Sequence, residues 1–420
     1  KSGIKNLNFK FDLKNYYSNI FQFNYGLNVI YYDFNPGTIG PLTPDSGFNF
    51  SRLNKKYAFE NSTYFDVIHK INSQLSMRYG IRLNQFLRLR QNGLQQYAND
   101  DPLYYDNDLK IYDPATPLAG NFDNNSSVFK TYNNIEPRIN ISYSFNNQSI
   151  KASYNRLNQY LHLISNTSSP TPLDIWVPSG PYIKPQKLDQ YALGYYKRIK
   201  NIKIETEIFY KKIKNRLDYI DGADLVANDN IETVILPGKS RAYGFEILLK
   251  KSEGRHKFMV AYTLSKSEQK TPGRNSLEDG INFSNWYNTP YDKPHDFSIN
   301  SEYILSKKLK IVGNFIYQTG QPTNSPNSQY TYMNLNVPNY GKRNSQRLPN
   351  YHRMDINLTL TPEKKNKKIE SSWVFGIYNL YDRDNASSII FRRNNETLKN
   401  EAVQISIFGI VPSVTYNFKF

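Results

Sequence analysis

The 420-residue sequence predicts an all-β chain: a membrane-spanning, antiparallel up-and-down β-barrel. Three observations carry that prediction. Apolar and aromatic side chains recur at every second position in segments of about ten to fourteen residues. No apolar run approaches the ~20 residues of a membrane helix, whereas these segments match the ~9–11 a tilted strand needs to cross a bilayer. Short and long connectors alternate along the chain, the pattern of a bacterial outer-membrane barrel with tight periplasmic turns and large external loops.

The strands follow in order. Leu7, Phe9, Phe11 and Leu13 alternate with Asn8, Lys10 and Asp12, and Phe21, Phe23, Tyr25, Leu27 and Val29 continue the rhythm. Met77, Tyr79, Ile81, Leu83, Leu87 and Leu89 face away from Arg78, Arg82, Arg88 and Arg90. Ile139 to Phe145, Tyr191 to Tyr195 and Ile202 to Ile208 repeat it, as do Phe245 to Leu249 and Phe258 to Leu264. Phe297 to Tyr303, Leu309 to Tyr317 and Met354 to Leu360 precede a last strand, 411–420, in which Val414, Tyr416, Phe418 and Phe420 alternate with Ser413, Thr415, Asn417 and Lys419. Short connectors such as Asn72-Ser73-Gln74, Asn146-Asn147-Gln148, Lys200-Asn201 and Ser306-Lys307 are followed by long ones at about 33–56, 93–134, 159–187, 216–238, 269–292, 321–349 and 382–409. The count is about fifteen strands, the first at 3–16. In lipid every backbone group has to pair within the sheet, which forces closure. Bacterial single-chain barrels have even strand numbers, and the first strand here would run inward. Parity therefore predicts further strands upstream of Lys1. A soluble sandwich or propeller is the competing all-β reading, but such folds rarely combine strands this long with loops this lopsided.

Composition narrows the function. With no cysteine, a disulfide framework and a thiolate metal site are excluded. The formal charge of +17 raises nucleic acid as a partner. The basic residues, however, fall in connectors (Lys197 to Lys200, Lys250 to Lys257, Lys307 to Lys310, Lys364 to Lys368) that read as separated rather than as one stripe, so no nucleic-acid partner is expected. At a periplasmic mouth these cations would meet lipid headgroups. Ser, His and Asp are scattered without a nucleophile–base constellation, and no enzyme is expected.

Five segments resemble the barrel of TonB-dependent outer-membrane receptors of the Bacteroidota type. These are Ser240-Arg241-Ala242-Tyr243-Gly244-Phe245-Glu246, Pro290-Tyr291-Asp292-Lys293-Pro294-His295-Asp296, Thr319-Gly320-Gln321-Pro322, Tyr378 to Asn385, and Phe408-Gly409-Ile410-Val411-Pro412. They stand in the family's order and cover residues 135–420; the first 130 fit by pattern alone. The resemblance implies a barrel of about 22 strands around a plug, of which residues 1–420 would be the C-terminal portion, with the plug and first strands upstream of Lys1. It implies that Tyr416, Phe418 and Phe420 form the terminal signal read by the barrel-assembly machinery. It also implies coupling to the TonB-ExbB-ExbD system through the plug. A surface lipoprotein or other envelope proteins are further candidate partners.

A receptor needs binding groups in its loops and lumen. Arg78, Arg82, Arg88 and Arg90 could attract an anionic solute, since Arg binds carboxylate and phosphate bidentately; alternatively they pair with acidic groups of the plug or of neighbouring strands. Tyr160, His162, Trp176 and Tyr182, with Trp286 and Tyr287, offer stacking surfaces; the plainer reading is loop packing or an interfacial aromatic belt. Asp100, Asp101, Asp106 and Asp108 are candidate Ca²⁺ ligands, against a solvated loop, and Asp221, Asp224 and Asp229 stand likewise. The five His residues lack ligand spacing, so no structural metal and no cofactor is expected. The function expected is import of a nutrient (iron chelate, oligosaccharide or peptide). The alternatives are a structural component of a larger envelope complex, or a passive porin.

Overall fold

The structure is a computed structural model that describes residues 3–41, 43, 50–91, 93–118, 127–164, 175–225, 228–333, 335–362, 370–394, 396 and 400–419. Fifteen long antiparallel strands form one sheet in strict chain order. They are β1 (Gly3–Tyr16), β2 (Phe21–Asn35), β3 (Lys56–Lys70), β4 (Leu75–Leu89), β5 (Val128–Phe145), β6 (Gln148–Gln159), β7 (Gln186–Ile199) and β8 (Ile202–Tyr219). After them come β9 (Ile235–Lys251), β10 (His256–Lys270), β11 (His295–Ile304), β12 (Leu309–Gln318), β13 (Tyr351–Leu360), β14 (Glu370–Tyr378) and β15 (Val411–Lys419). A two-residue strand, Tyr287–Asn288, adds to β10. Three short 3-10 turns are the helical elements among the described residues, and none of them can cross a membrane. β1 and β15 are the two edges of the sheet, and no ladder joins them among the described residues.

The side-chain alternation read from the sequence sorts the two faces. Tyr79, Ile81 and Leu83 of β4 are exposed outward, while Asn84, Phe86 and Arg88 are buried on the other face. Outward residues line up across strands: Ile139 pairs with Tyr154, Tyr154 with Tyr191, Tyr191 with Tyr210 and Tyr210 with Tyr243. The rings of Tyr154 and Tyr191 lie 5.0 Å apart. This row is an aromatic girdle of the kind that marks a membrane interface. Tyr416 and Phe418 stack at 6.0 Å on β15, which is exposed on both faces along Val411–Lys419; Phe420 lies outside the described residues.

Turn chemistry fixes the short-turn end. Asn146 and Asn147 both take positive φ, 42° and 61°, as a two-residue type I′ hairpin requires. At the opposite end several strands outrun the sequence expectation: β5 begins at Val128, β8 reaches Tyr219 and β9 starts at Ile235. These rim segments contact water or folded loops on both faces, so the two-residue rhythm that marks a lipid-facing span fades before the strand does.

Candidate binding site at the long-loop end

The inner face of β4 carries three of the four arginines. Arg78 Nε donates to Asp66 at 2.7 Å, and Asn24 donates to the same carboxylate at 3.3 Å. Arg82 donates to Ser62 Oγ at 2.7 Å and to Asn84 Oδ1 at 2.8 Å. Arg88 is buried and donates to the Tyr57 carbonyl at 2.8 Å and to Gln91. Arg90 stands apart with an exposed side chain, its backbone N–H on the Ser127 carbonyl at 3.1 Å. Arg78, Arg82 and Arg88 therefore tie β4 to β3 or to the loop that follows it. Of the acidic partners weighed from the sequence, only Arg78 shows one among the described residues, Asp66.

The long loops fold together. Leu103, Tyr105 and Tyr112 from the β4–β5 loop share one apolar core with Ile164, Val177 and Ile183 from the β6–β7 loop. Ile220, Ile231 and Val234 from the β8–β9 loop and Ile281 and Tyr287 from the β10–β11 loop complete it. Polar pins bind the loops to each other. Arg274 pairs with Glu278 at 2.6 Å and with Asp101, Tyr112 donates to Glu278 at 3.2 Å, and Tyr182 donates to the Gln95 carbonyl at 3.0 Å. Burial pushes the Glu232 carboxyl up, with Lys56 opposing.

The loop residues singled out in the sequence take up distinct places in this assembly. Tyr160 stacks on Phe86 at 4.7 Å and accepts from Asn134 at 3.0 Å. His162 is buried between Ser179 Oγ, 3.0 Å from Nε2, and Gln186, whose amide lies 3.1 Å from Nδ1. Burial, aided by Arg216, pushes its pKa down to about 4, so the ring is neutral at pH 7. Tyr182 meets Tyr97 edge-on at 5.3 Å, and Trp176 is exposed. Trp286 lies 4.2 Å from the Arg241 guanidinium. Tyr287 is buried and bonds Gln269 at 3.0 Å, Thr271 at 2.9 Å and Asp218. The four acidic residues do not converge: Asp101 pairs with Arg274, Asp106 caps its own turn through the N–H groups of Asp108 and Leu109, and Asp100 sits in a 3-10 turn. Among the described residues no three His, Asp or Glu groups come together as metal ligands.

Beside this core lies a cavity of about 470 Å³. Its chemistry comes from His162, Arg216, Asp218, Tyr219, Tyr291 and Arg343. A bulge positions two of these residues. The register of β8 on β9 slips between Lys214 and Arg216, and Asn215 takes φ 58°. One extra residue reverses which face every later side chain meets, so Arg216 and Asp218 turn to the inner side with Gln269. Arg343 then closes on Asp218 at 2.9 Å, donates to the Tyr219 carbonyl at 2.6 Å and reaches Asp221. Its guanidinium also stands 4.3 Å from the Tyr219 ring. Burial opposes its charge, but Asp218 and Asp221 outweigh that and hold it more firmly protonated than usual. Sequence reasoning missed Asp218, Arg216 and Arg343. Asn215 inside a strand was the one available signal, since Asn tolerates the left-handed conformation.

The family-like segments chiefly shape the wall and rim, and Pro290, Tyr291 and Pro322 of two of them also line the cavity. Asp292, 1% exposed, accepts from the Ser267 N–H at 2.6 Å and pairs with Arg347, which donates to the Gly320 carbonyl at 3.0 Å. A side chain on Gly320 would overlap the Leu348 carbonyl. Asn379, fully buried with φ 53°, donates to the carbonyls of Arg383 at 3.0 Å and Phe408 at 3.4 Å. Asp382 accepts from the Ile410 N–H at 2.6 Å, joining the fourth segment to the fifth.

A sequential antiparallel wall with an apolar outer face, a polar inner face and folded long loops at one end defines an outer-membrane β-barrel of the receptor type. A sequence-family model described as "TonB dependent receptor-like, beta-barrel" matches residues 2–380, and the chain belongs to that family. The match takes in the first 130 residues, which had fitted by pattern alone. Solved structures share the fold. The siderophore receptor PiuA from Acinetobacter baumannii is 14% identical with a TM-score of 0.60, over 100% of this chain and 56% of that one. The ferric-catecholate import receptor Fiu from E. coli K12 is 16% identical with a TM-score of 0.59, over 99% and 54%. The ferripyoverdine receptor from Pseudomonas aeruginosa is 12% identical with a TM-score of 0.57, over 100% and 48%. The chain thus spans about half the length of these structures. No curated protein matches it.

Proposed function

We propose that these fifteen strands are the C-terminal portion of a receptor barrel that captures a ferric chelate at its long-loop end, which faces outward from the cell, and imports it. The cavity is the observation that carries this reading. It is roomy enough for a compact chelate, and Arg216 and Arg343 border it with the rings of Tyr219 and Tyr291. The Arg216 guanidinium suits the oxygen-rich anionic ligands of ferric iron, Arg343 being already engaged by Asp218 and Asp221, and tyrosine rings supply rigid contact area with a polar tip. The solved neighbours named for catecholate and pyoverdine chelates support the same class. Family membership supports coupling through a plug to the TonB-ExbB-ExbD system. No covalent step is assigned to the chain.

Uptake of radioactive iron by cells supplied with a ferric catecholate tests the proposal. Uptake should stop when the proton gradient is collapsed. In purified receptor, Arg216→Ala should weaken binding by about tenfold or more, the scale of one hydrogen bond to a charged group. Uptake that persists without the gradient would refute energy coupling. Unchanged affinity in the variant would remove the cavity from the binding site.

A further inference from the structure

Along the chain the basic connectors look isolated, but the sheet order removes that separation. β7 to β12 are consecutive neighbours, so turns 200–201, 252–255 and 305–308 stand side by side at the short-turn end. With strands ~4.8 Å apart, adjacent turns lie about 10 Å from each other. That is close to the ~8 Å Debye length at physiological ionic strength, so their fields reinforce one another. The turns carry Lys200, Arg255, Lys307 and Lys308, all exposed, with Glu253 as the acidic member. Turns 17–20, 71–74 and 146–147, between β1 and β6, contain no charged residue. The basic end is therefore a sector, not a ring. Residues 364, 365, 367 and 368 lie outside the described residues.

Register fixes the depth of the sector. Lys197 pairs with Ile204, and Lys251 with Phe258. Ile204 shares its face with Ile208 and Tyr210, which are exposed on the outer wall. Beyond Ile204 that face ends at Ile202, which pairs with Ile199 and with Lys251. Lys251 thus sits level with the last apolar side chains of the wall and Lys197 one outward pair inside them, where hydrocarbon gives way to headgroups. On the inner face, Lys257 and Lys310 are engaged by Glu302 at 2.9 and 3.4 Å.

We propose that this sector docks anionic phospholipid headgroups, of the phosphatidylglycerol kind, from the leaflet that the short turns reach. Arg offers a fork to a phosphodiester and Lys a point charge. The cations border the lipid-facing wall itself, the place a phospholipid occupies and a soluble protein does not. The proposal needs only that the wall spans a bilayer, so it stands apart from the choice of transported ligand.

The test reconstitutes the full-length receptor in phosphatidylcholine bilayers with spin-labelled phosphatidylglycerol or spin-labelled phosphatidylcholine. It measures the fraction of each label immobilised at the protein. Phosphatidylglycerol should be favoured about fivefold, the scale of one basic residue near an anionic surface. The preference should collapse in about 1 M salt, where the Debye length is ~3 Å. It should also collapse in the variant Lys200→Ser, Lys251→Ser, Arg255→Ser, Lys307→Ser. The charge-preserving variant Lys200→Arg, Lys251→Arg, Lys307→Arg should keep it, which separates charge from folding. Equal retention of both lipids, or a preference unaltered by the serine variant, overturns the proposal. So does capture of soluble polyglutamate without lipid preference, which would assign the sector to an acidic protein. Competition by inorganic phosphate beyond chloride of matched ionic strength overturns it too, in favour of a free anion.

Discussion

Asp218 and Arg343 meet at 2.9 Å with each side chain only 7% exposed, tying the end of β8 to the loop that precedes β13. Removing one partner of a buried pair strands the other charge and costs about 3–5 kcal/mol. Arg343→Met should therefore speed amide exchange in residues 219–225 and 318–333. The double variant Asp218→Asn, Arg343→Gln should cost much less than the sum of the two single changes. Additive effects in a double-mutant cycle would show that the pair does not hold the loops together.

His162 makes the loop assembly sensitive to acid. Its folded pKa of about 4 lies below the ordinary 6.5, so the unfolded loop binds the proton more readily. The stability contributed by the neutral ring is fully present above pH 6.5 and is lost as pH falls to about 4. The loss approaches about 3 kcal/mol. Exchange in the hairpin of Leu161–Ile164 and Ile175–Pro178 should accelerate between pH 6 and 4 in the native protein, and much less in His162→Asn. An NMR titration midpoint near 6.5 for this ring would count against its burial.

Phe86 and Tyr160 stack with their planes 1° apart, fastening the start of the β6–β7 loop onto the inner face of β4. Phe86→Ala should destabilise that junction by about 3–5 kcal/mol, read as early proteolysis in the β6–β7 loop while the barrel keeps its heat-modifiable migration in gels. A protease pattern identical to the native protein would mean that the loop is anchored elsewhere.

Gly320 has no room for a methyl group beneath the Leu348 carbonyl. Gly320→Ala should force the β12–β13 loop away from Asp292 and loosen the Arg347 pair. Arg347→Lys should produce a milder form of the same defect, since Lys cannot reproduce the contacts to Asp292 and Gly320 together. Matched loop-proteolysis rates for the native protein and both variants would contradict this.

Much of the wall was legible because lipid imposes a rule on every second residue. Tyr79, Ile81 and Leu83 declare their face without reference to any partner. The rim motifs were legible as family-like segments, but their partners were not, since Asp292 meets Arg347, Gly320 meets Leu348 and Asn379 reaches Phe408 from distant stretches of chain. The site was not. The Asp218–Arg343 contact spans a long stretch of chain, and the bulge at Asn215 inverts the face that simple alternation would assign to Arg216. Tyr160 and His162 were visible as aromatic and polar loop residues. Their burial depends on Phe86, Ser179 and Gln186, which no spacing connects to them. The basic turns were read as separated for a related reason: only strand order shows that Lys200, Arg255 and Lys307 are neighbours.

The central claim is that the two-residue rhythm of β4 divides lipid from interior, and the absence of native cysteine makes a direct test simple. Single cysteines at positions 79 to 84, labelled with an environment-sensitive fluorophore in a reconstituted bilayer, would be exposed to brominated lipid. The account predicts strong quenching at 79, 81 and 83 and weak quenching at 80, 82 and 84. Uniform quenching along the segment, or the opposite alternation, would contradict it.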